Sequence, residues 1–218
     1  MELYLVRHGE MTGDPHAYYQ PPVHGCLSTD GCQQAQALGQ ALADVPLTAV
    51  YASPLGRSIQ TAQALAQERN LPIGIREWLV EWRPATVTGE CPDPAQYEAM
   101  MKSASELRPE RCWKTPAGEG CMEMWARIVP GFLRLLEEHG MEAGHGGYLL
   151  PDGDQQKIAI VAHGGSLGVL AAFLMGVPAR PFAPFSFEFT GVLAVTFIKR
   201  ADVWYPAMRV GALQGKQS

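Results

Sequence analysis

The sequence has no Cys-x-x-Cys pair, no zinc-ligand spacing and no regular disulfide framework. Its five cysteines, Cys26, Cys32, Cys91, Cys112 and Cys121, are odd in number and irregular in spacing. They read as free thiols in a reducing cytoplasm. The start, "MELYLVRHGE", meets charge too early for a signal peptide. The most apolar stretch, "SLGVLAAFLMGV", is too short to span a bilayer and reads as a buried helix. There is no glycine-rich phosphate loop and no dinucleotide fingerprint, which argues against a nucleotide-binding α/β protein. Repeats, low-complexity tracts and long linkers are also missing. Positive charge is in deficit: the formal net charge is −5. That weighs against a broad surface for nucleic acid or anionic membrane, though a small basic pocket is still allowed.

The 218 residues, 47% hydrophobic and 18% charged, suffice for one sizeable core. A single domain over residues 1–218 is expected. "ELYLVR" reads as a central strand covered on both faces. "STDGCQQAQALGQALADV" reads as a helix with Ser28, Thr29 and Asp30 as cap candidates. "TAVYAS" is a second strand. "SPLGRSIQTAQALAQERN" follows as a helix with Ser53 at the cap and Pro54 at the first helical position. "LPIGIR" is a weaker third strand. Residues 83 to 118 are rich in proline and read as an excursion over the site, with a helix near "DPAQYEAMMKSASEL". "EMWARIVPGFLRLLEEHG" is a helix, bent or begun late at Pro130. "GHGGYLLPDGDQQ" reads as a surface loop. "KIAIVAHGG" is a buried strand, followed by the helix "SLGVLAAFLMG". "FSFEFTGVLAVTFIKR" and "VWYPAMRVG" read as closing strands. This alternation predicts a three-layer α/β fold: a mostly parallel central sheet with an antiparallel edge. The apolar closing strands offer an edge on which a homodimer could form, although nothing in the sequence requires it.

Three far-apart strands end in charged or imidazole groups. The first ends at Arg7-His8-Gly9, the second just before Arg57, and a late one at His163-Gly164-Gly165. In a parallel α/β sheet such ends share one rim, where ligands bind. Two guanidiniums and two imidazoles on one rim form an anion site, and arginine offers the two-pronged donors that fit phosphate oxygens.

"LVRHGE", "LSTDGCQQAQALG", "ASPLGRSIQTA" and "VAHGG" together resemble the histidine phosphatase superfamily, which includes cofactor-dependent phosphoglycerate mutases and many small phosphatases. The resemblance runs from Leu3 to about Gly168, in the family's order and spacing. It implies that His8 attacks phosphorus and becomes a phosphohistidine, with no metal or other cofactor. It implies that Arg7, Arg57 and His163 hold the phosphate oxygens, with Gly164 beside them. Gly9 would be glycine because a side chain would obstruct the phosphate. The general acid would be Glu81 in "WLVEW", with Glu119 in "PAGEG", Glu77 and Glu90 as rivals. Trp78, Leu79 and Trp82 would desolvate Glu81, while nearby arginines would act in the opposite sense. Thr12 would supply a hydroxyl to the substrate, and His24 lies where the family's loop approaches it.

The sequence departs from the family at Asp14, which stands roughly where an asparagine usually contacts phosphate. The implied partner is a small phosphorylated substrate, and hydrolysis is favoured over mutase transfer because "EWRPATVTGECPDP" lacks the mutases' segments. A non-catalytic phospholigand-binding protein on the same fold is the alternative from another class. A solitary strand-end histidine is usually a cap or core residue, and a solitary arginine a surface ion pair. The four ordered blocks outweigh those readings for His8, Arg7, Arg57 and His163. His16, His139 and His145 lack such support, and Tyr18, Tyr19, Trp82 and Trp113 read as packing residues.

Overall fold

The computed structural model describes residues 1–12, 27–83, 99, 102, 113–115, 118–178 and 185–209. Strands β1 (Glu2–Arg7), β2 (Ala49–Ala52), β3 (Ile73–Ile75) and β8 (Lys157–Ala162) are mutually parallel in the order β3-β2-β8-β1. Beyond β1 the sheet turns antiparallel through β9 (Val192–Arg200), β10 (Val203–Arg209), β7 (Gly147–Leu149) and the edge strand β6 (Glu142–Gly144). A short separate ribbon pairs β4 (Lys114–Thr115) with β5 (Gly118–Glu119). Four helices are described: α1 (Thr29–Ala41), α2 (Gly56–Ala66), α3 (Cys121–Glu138) and α4 (Gly164–Leu174).

Side-chain alternation along the central strands explains the three layers. Leu3, Leu5, Ile158 and Ile160 point to one face, where they pack with Ile128, Phe132 and Leu135 of α3 and Leu167 and Leu170 of α4. Tyr4, Val6, Ala159 and Val161 point to the other, against Leu38 of α1 and Ala62 and Leu65 of α2. Because both faces are covered, β1 is apolar without interruption from Leu3 to Val6 and β8 from Ile158 to Ala162, as expected for doubly covered parallel strands. The expected three-layer α/β fold with a parallel sheet and antiparallel edge is what forms.

Helix α1 starts where its cap predicts: the Ser28 hydroxyl accepts from the Gly31 amide at 2.9 Å. Helix α2 does not. It begins at Gly56 with Leu55 at the cap, and the Ser53 hydroxyl, besides accepting from the Leu55 amide at 3.4 Å, lies 2.8 Å from His163 Nε2. Pro130 lies inside α3, neither starting nor ending it. A helical proline costs about 3 kcal/mol, and burying Ile128, Phe132, Leu135 and Leu136 outweighs that at about 1.5–3 kcal/mol each. The segment read as a surface loop, 144–156, holds the turn and second strand of the β6–β7 hairpin, and it is irregular, with a turn, only over 150–156. His145 and Gly146 both take positive φ (53° and 77°), the pattern of a two-residue turn matched to strand twist. The closing strands β9 and β10 lie inside the sheet, so the edge expected there belongs to β6. Trp113 is 55% exposed and packs no core.

The excursion proposed for residues 83 to 118, including its helix, falls almost wholly outside the described residues, as do Cys26, Cys91 and Cys112. Cys32 is an exposed free thiol, and Cys121 is buried at the start of α3. No helix among the described residues is long and apolar enough to cross a membrane.

Candidate active site

The site grows out of the ladder between β1 and β8. Arg7 pairs with Ala162 in register, and the His8 amide donates to the Ala162 carbonyl at 3.0 Å. The next residue on each strand is therefore a histidine facing a histidine. The His8 and His163 rings lie 5.0 Å apart at 61°, close to the spacing of adjacent strands. On the far side of β8, β2 delivers Ser53, whose amide donates to Val161 at 3.0 Å. Arg57, in the first turn of α2 and 1% exposed, completes the cluster.

Hydrogen bonding fixes the state of His8. The Arg57 Nε–H can only donate, and it points at His8 Nε2 from 3.2 Å. The Gly9 carbonyl can only accept, and it lies 2.7 Å from His8 Nδ1. His8 is therefore a neutral imidazole with its proton on Nδ1 and its lone pair on Nε2. Burial, the Arg57 charge and the Arg7 charge together lower its pKa from 6.5 to about 3, against a raising contribution from the Gly9 bond. Burial, then Arg57 and then His8, hold His163 well below the ordinary histidine range. His163 Nε2 lies 2.8 Å from the Ser53 hydroxyl and 3.4 Å from that of Ser58.

Two buried polar atoms here have no hydrogen-bond partner in the structure: Arg7 Nε and His163 Nδ1. Leaving buried polar groups unpaired is costly, so their place beside His8 marks a position suited to an oxyanion. The rest of Arg7 is held firmly. Its Nη1 donates to the Phe187 carbonyl, and its guanidinium stacks 4.2 Å from the Phe189 ring centre.

Glu81 stands on the same rim. Its carboxylate accepts from the Trp82 amide (2.9 Å) and reaches across to the first turn of α4, accepting from Gly165 (3.0 Å) and Ser166 (3.2 Å). Backbone amides, more than the neighbouring tryptophans, thus define its surroundings. Its rival Glu119 is committed elsewhere. Arg127 grips it with two prongs, Nε at 2.8 Å and Nη2 at 2.7 Å, and the Arg83 amide adds a third bond. Glu77 is exposed on the turn before Glu81.

The sequence profile of the histidine phosphatase superfamily (branch 1) matches residues 3–204. The chain belongs to the histidine phosphatase superfamily. Among relatives in this superfamily, a probable phosphoglycerate mutase GpmB of Erwinia tasmaniensis is 28% identical over 180 residues, 83% of this chain and 77% of that one. The alpha-ribazole phosphatase of Shigella flexneri superposes with a TM-score of 0.69 at 27% identity, covering 96% of this chain and 95% of its own. A mycobacterial glucosyl-3-phosphoglycerate phosphatase shares the fold with a TM-score of 0.71 at 20% identity, over 96% and 98% of the two chains.

The structure brings together Arg7, His8, Arg57, Glu81 and His163 of this superfamily member. Gly164 joins them as the first residue of α4: a Cβ there would lie 3.9 Å from Arg7 Nε. Gly9 has a packing reason to be glycine. A Cβ on it would come within 2.7 Å of the Gly31 carbonyl, so packing against α1 excludes a side chain. The Gly9 amide is held by the Thr61 hydroxyl at 3.0 Å, which itself donates to the Arg57 backbone carbonyl at 2.8 Å. Thr12 is exposed. His24, Asp14 and Glu90 lie outside the described residues. Sequence reasoning missed Ser58, Thr61, Phe187 and Phe189, and gave Ser53 a capping role. Thr61 follows Arg57 by four residues, the helical spacing that puts it on the same face, and that signal was available; Ser58, one residue on, has no such spacing. The two phenylalanines carry none.

Two neutral buried histidines make the fold acid-sensitive. In the unfolded chain each binds a proton below pH 6.5, whereas His8 in the native state does so only near pH 3. Between those values the unfolded state holds more protons, so stability is lost as pH falls, by about 1.4 kcal/mol per pH unit from His8 alone. Urea midpoints measured from pH 7 to 4.5 are expected to drop steeply, and to drop less steeply in His8→Ala. Equal slopes for the two proteins would contradict a neutral His8.

Proposed function

We propose that the chain is a phosphatase that hydrolyses a phosphate monoester through a phosphohistidine on His8, without a metal ion. The observation that carries this reading is the neutral His8 imidazole, fixed by Gly9 and Arg57, with its ring 5.0 Å from that of His163 and with Arg7 Nε and His163 Nδ1 left unpartnered at the same strand ends. A phosphoryl group seated there has its oxygens among cations and its phosphorus in front of a nucleophile. The Nε2–P bond forms as the ester P–O bond breaks, and protonated Glu81 gives its proton to the departing alkoxide. Water then attacks phosphorus, returns a proton to the Glu81 carboxylate and releases phosphate and free His8. The retained position of the arginines suits the charge on the three equatorial oxygens in both steps.

A second reading, transfer of the phosphoryl group to another alcohol, is favoured by the GpmB relative over 83% of the chain. The alpha-ribazole phosphatase, at 27% identity over nearly the whole chain, supports hydrolysis. The test is phosphate release in EDTA from 3-phosphoglycerate, sugar phosphates, nucleotides, phosphoamino acids and aryl phosphates. It is joined to recovery of an acid-labile phosphoryl group on His8 after quenching. Phosphate release with label on His8 is the expected result. Conversion of 3-phosphoglycerate to its 2-isomer without net release would establish the mutase reading. Binding of phosphate with neither would leave a ligand-binding protein.

A further inference from the structure

Glycine at position 165 has no backbone justification. It sits in the first turn of α4 and takes no positive φ. Alanine is the better helix former there. What a side chain would meet is Glu81: a Cβ on residue 165 would stand 2.4 Å from its Oε1, 3.2 Å from its Cδ and 3.4 Å from its Oε2. These are the three atoms nearest to that Cβ, leaving out the chain neighbours and the helix's own backbone. The collision is with the free end of one side chain, so a larger residue is accommodated by moving the carboxylate and leaves the helix in place.

We propose that Gly165 is a positioning residue for Glu81. The missing side chain lets the carboxylate settle onto the Gly165 and Ser166 amides at 3.0 and 3.2 Å, one residue past Gly164 and the oxyanion position. The first turn of α4 thereby locates the acid relative to the phosphoryl group. The inference rests on the reading of Glu81 as the acid that protonates the leaving group.

That role has a signature that structural damage does not share. A poor leaving group needs the proton, and a good one does not. The experiment compares kcat/KM, which covers steps up to the phosphohistidine, for phenyl phosphate and 4-nitrophenyl phosphate in the wild-type protein, Gly165→Ala and Glu81→Gln. Gly165→Ala is expected to lose roughly 10- to 100-fold on phenyl phosphate, the scale of a misplaced catalytic group. On 4-nitrophenyl phosphate it should stay within about twofold, and its melting temperature should not fall. Glu81→Gln should show the same selectivity, at least as strongly. Equal losses on both esters in Gly165→Ala, or no loss on either, would overturn the positioning role if Glu81→Gln still discriminates. If Glu81→Gln treats the two esters alike, the acid assignment itself falls, and the role of Gly165 with it.

Discussion

Replacing His8 by alanine is expected to lower kcat by about 10⁴-fold or more, because in the proposed reaction it removes the nucleophile and with it the covalent route. Arg7, Arg57 and His163 keep their strand-end and helix-end positions in that variant, so inorganic phosphate should still bind, which calorimetry can read. The neighbouring charges make the substitution revealing in a second way. Below pH 6.5 the wild-type protein carries a histidine whose native pKa is held near 3 by burial and by Arg57 and Arg7. Without it, unfolding no longer releases that site to take up a proton, and acid tolerance improves. One variant therefore loses its activity and keeps more of its stability at pH 5. Turnover that survives His8→Ala would place the nucleophile elsewhere.

Arg57→Met should be the next most damaging change, with kcat/KM down roughly 10²- to 10³-fold, the usual loss for one preorganised donor to a developing oxyanion. The pH dependence identifies the cause. Burial is the larger reason that the His8 pKa is low, and the Arg57 charge is the next. Removing the charge raises that pKa toward 6.5 without reaching it. The Nε2 lone pair is then protonated at pH values where the wild type stays neutral. The ratio of wild-type to variant kcat/KM should therefore grow as pH falls from 7.5 to 5. The substrate's own phosphate titrates equally in both assays and cancels. A ratio constant with pH would mean that Arg57 acts on the phosphate alone. Arg57→Lys keeps a charge but loses the rigid Nε–H aimed at His8, and should fall between the two.

The parts of this molecule legible from sequence are those where one local pattern has one structural meaning. Unbroken apolar runs such as "ELYLVR" and "KIAIVA" can only be doubly covered strands, and the histidines that follow them land side by side because parallel register demands it. The cap at Ser28 follows from its own chemistry. Ser53 shows where local reading fails. Serine before Pro54 has every feature of a helix cap, yet a partner 110 residues away claims its hydroxyl. The His145-Gly146 turn was hidden because histidine rarely takes positive φ. Pro130 misled because its local cost is outweighed by packing that is set by the sheet. Glu81 was located by resemblance, but the amides that hold it belong to α4, 84 residues further on.

The pairing of β1 with β8 also governs when the protein can become active. Strand β1 finds its neighbours only at residues 157–162 and 192–196. During synthesis at about 5–20 residues per second, this apolar strand waits roughly 10–30 s without a partner on either edge. A chain that ends before residue 163 cannot bring the two histidines together, so it is expected to show none of the proposed activity. In refolding, contacts of such long separation form late and slowly. Recovery of activity should therefore trail the recovery of helix, and the nascent chain should be most prone to aggregate before residue 162 emerges.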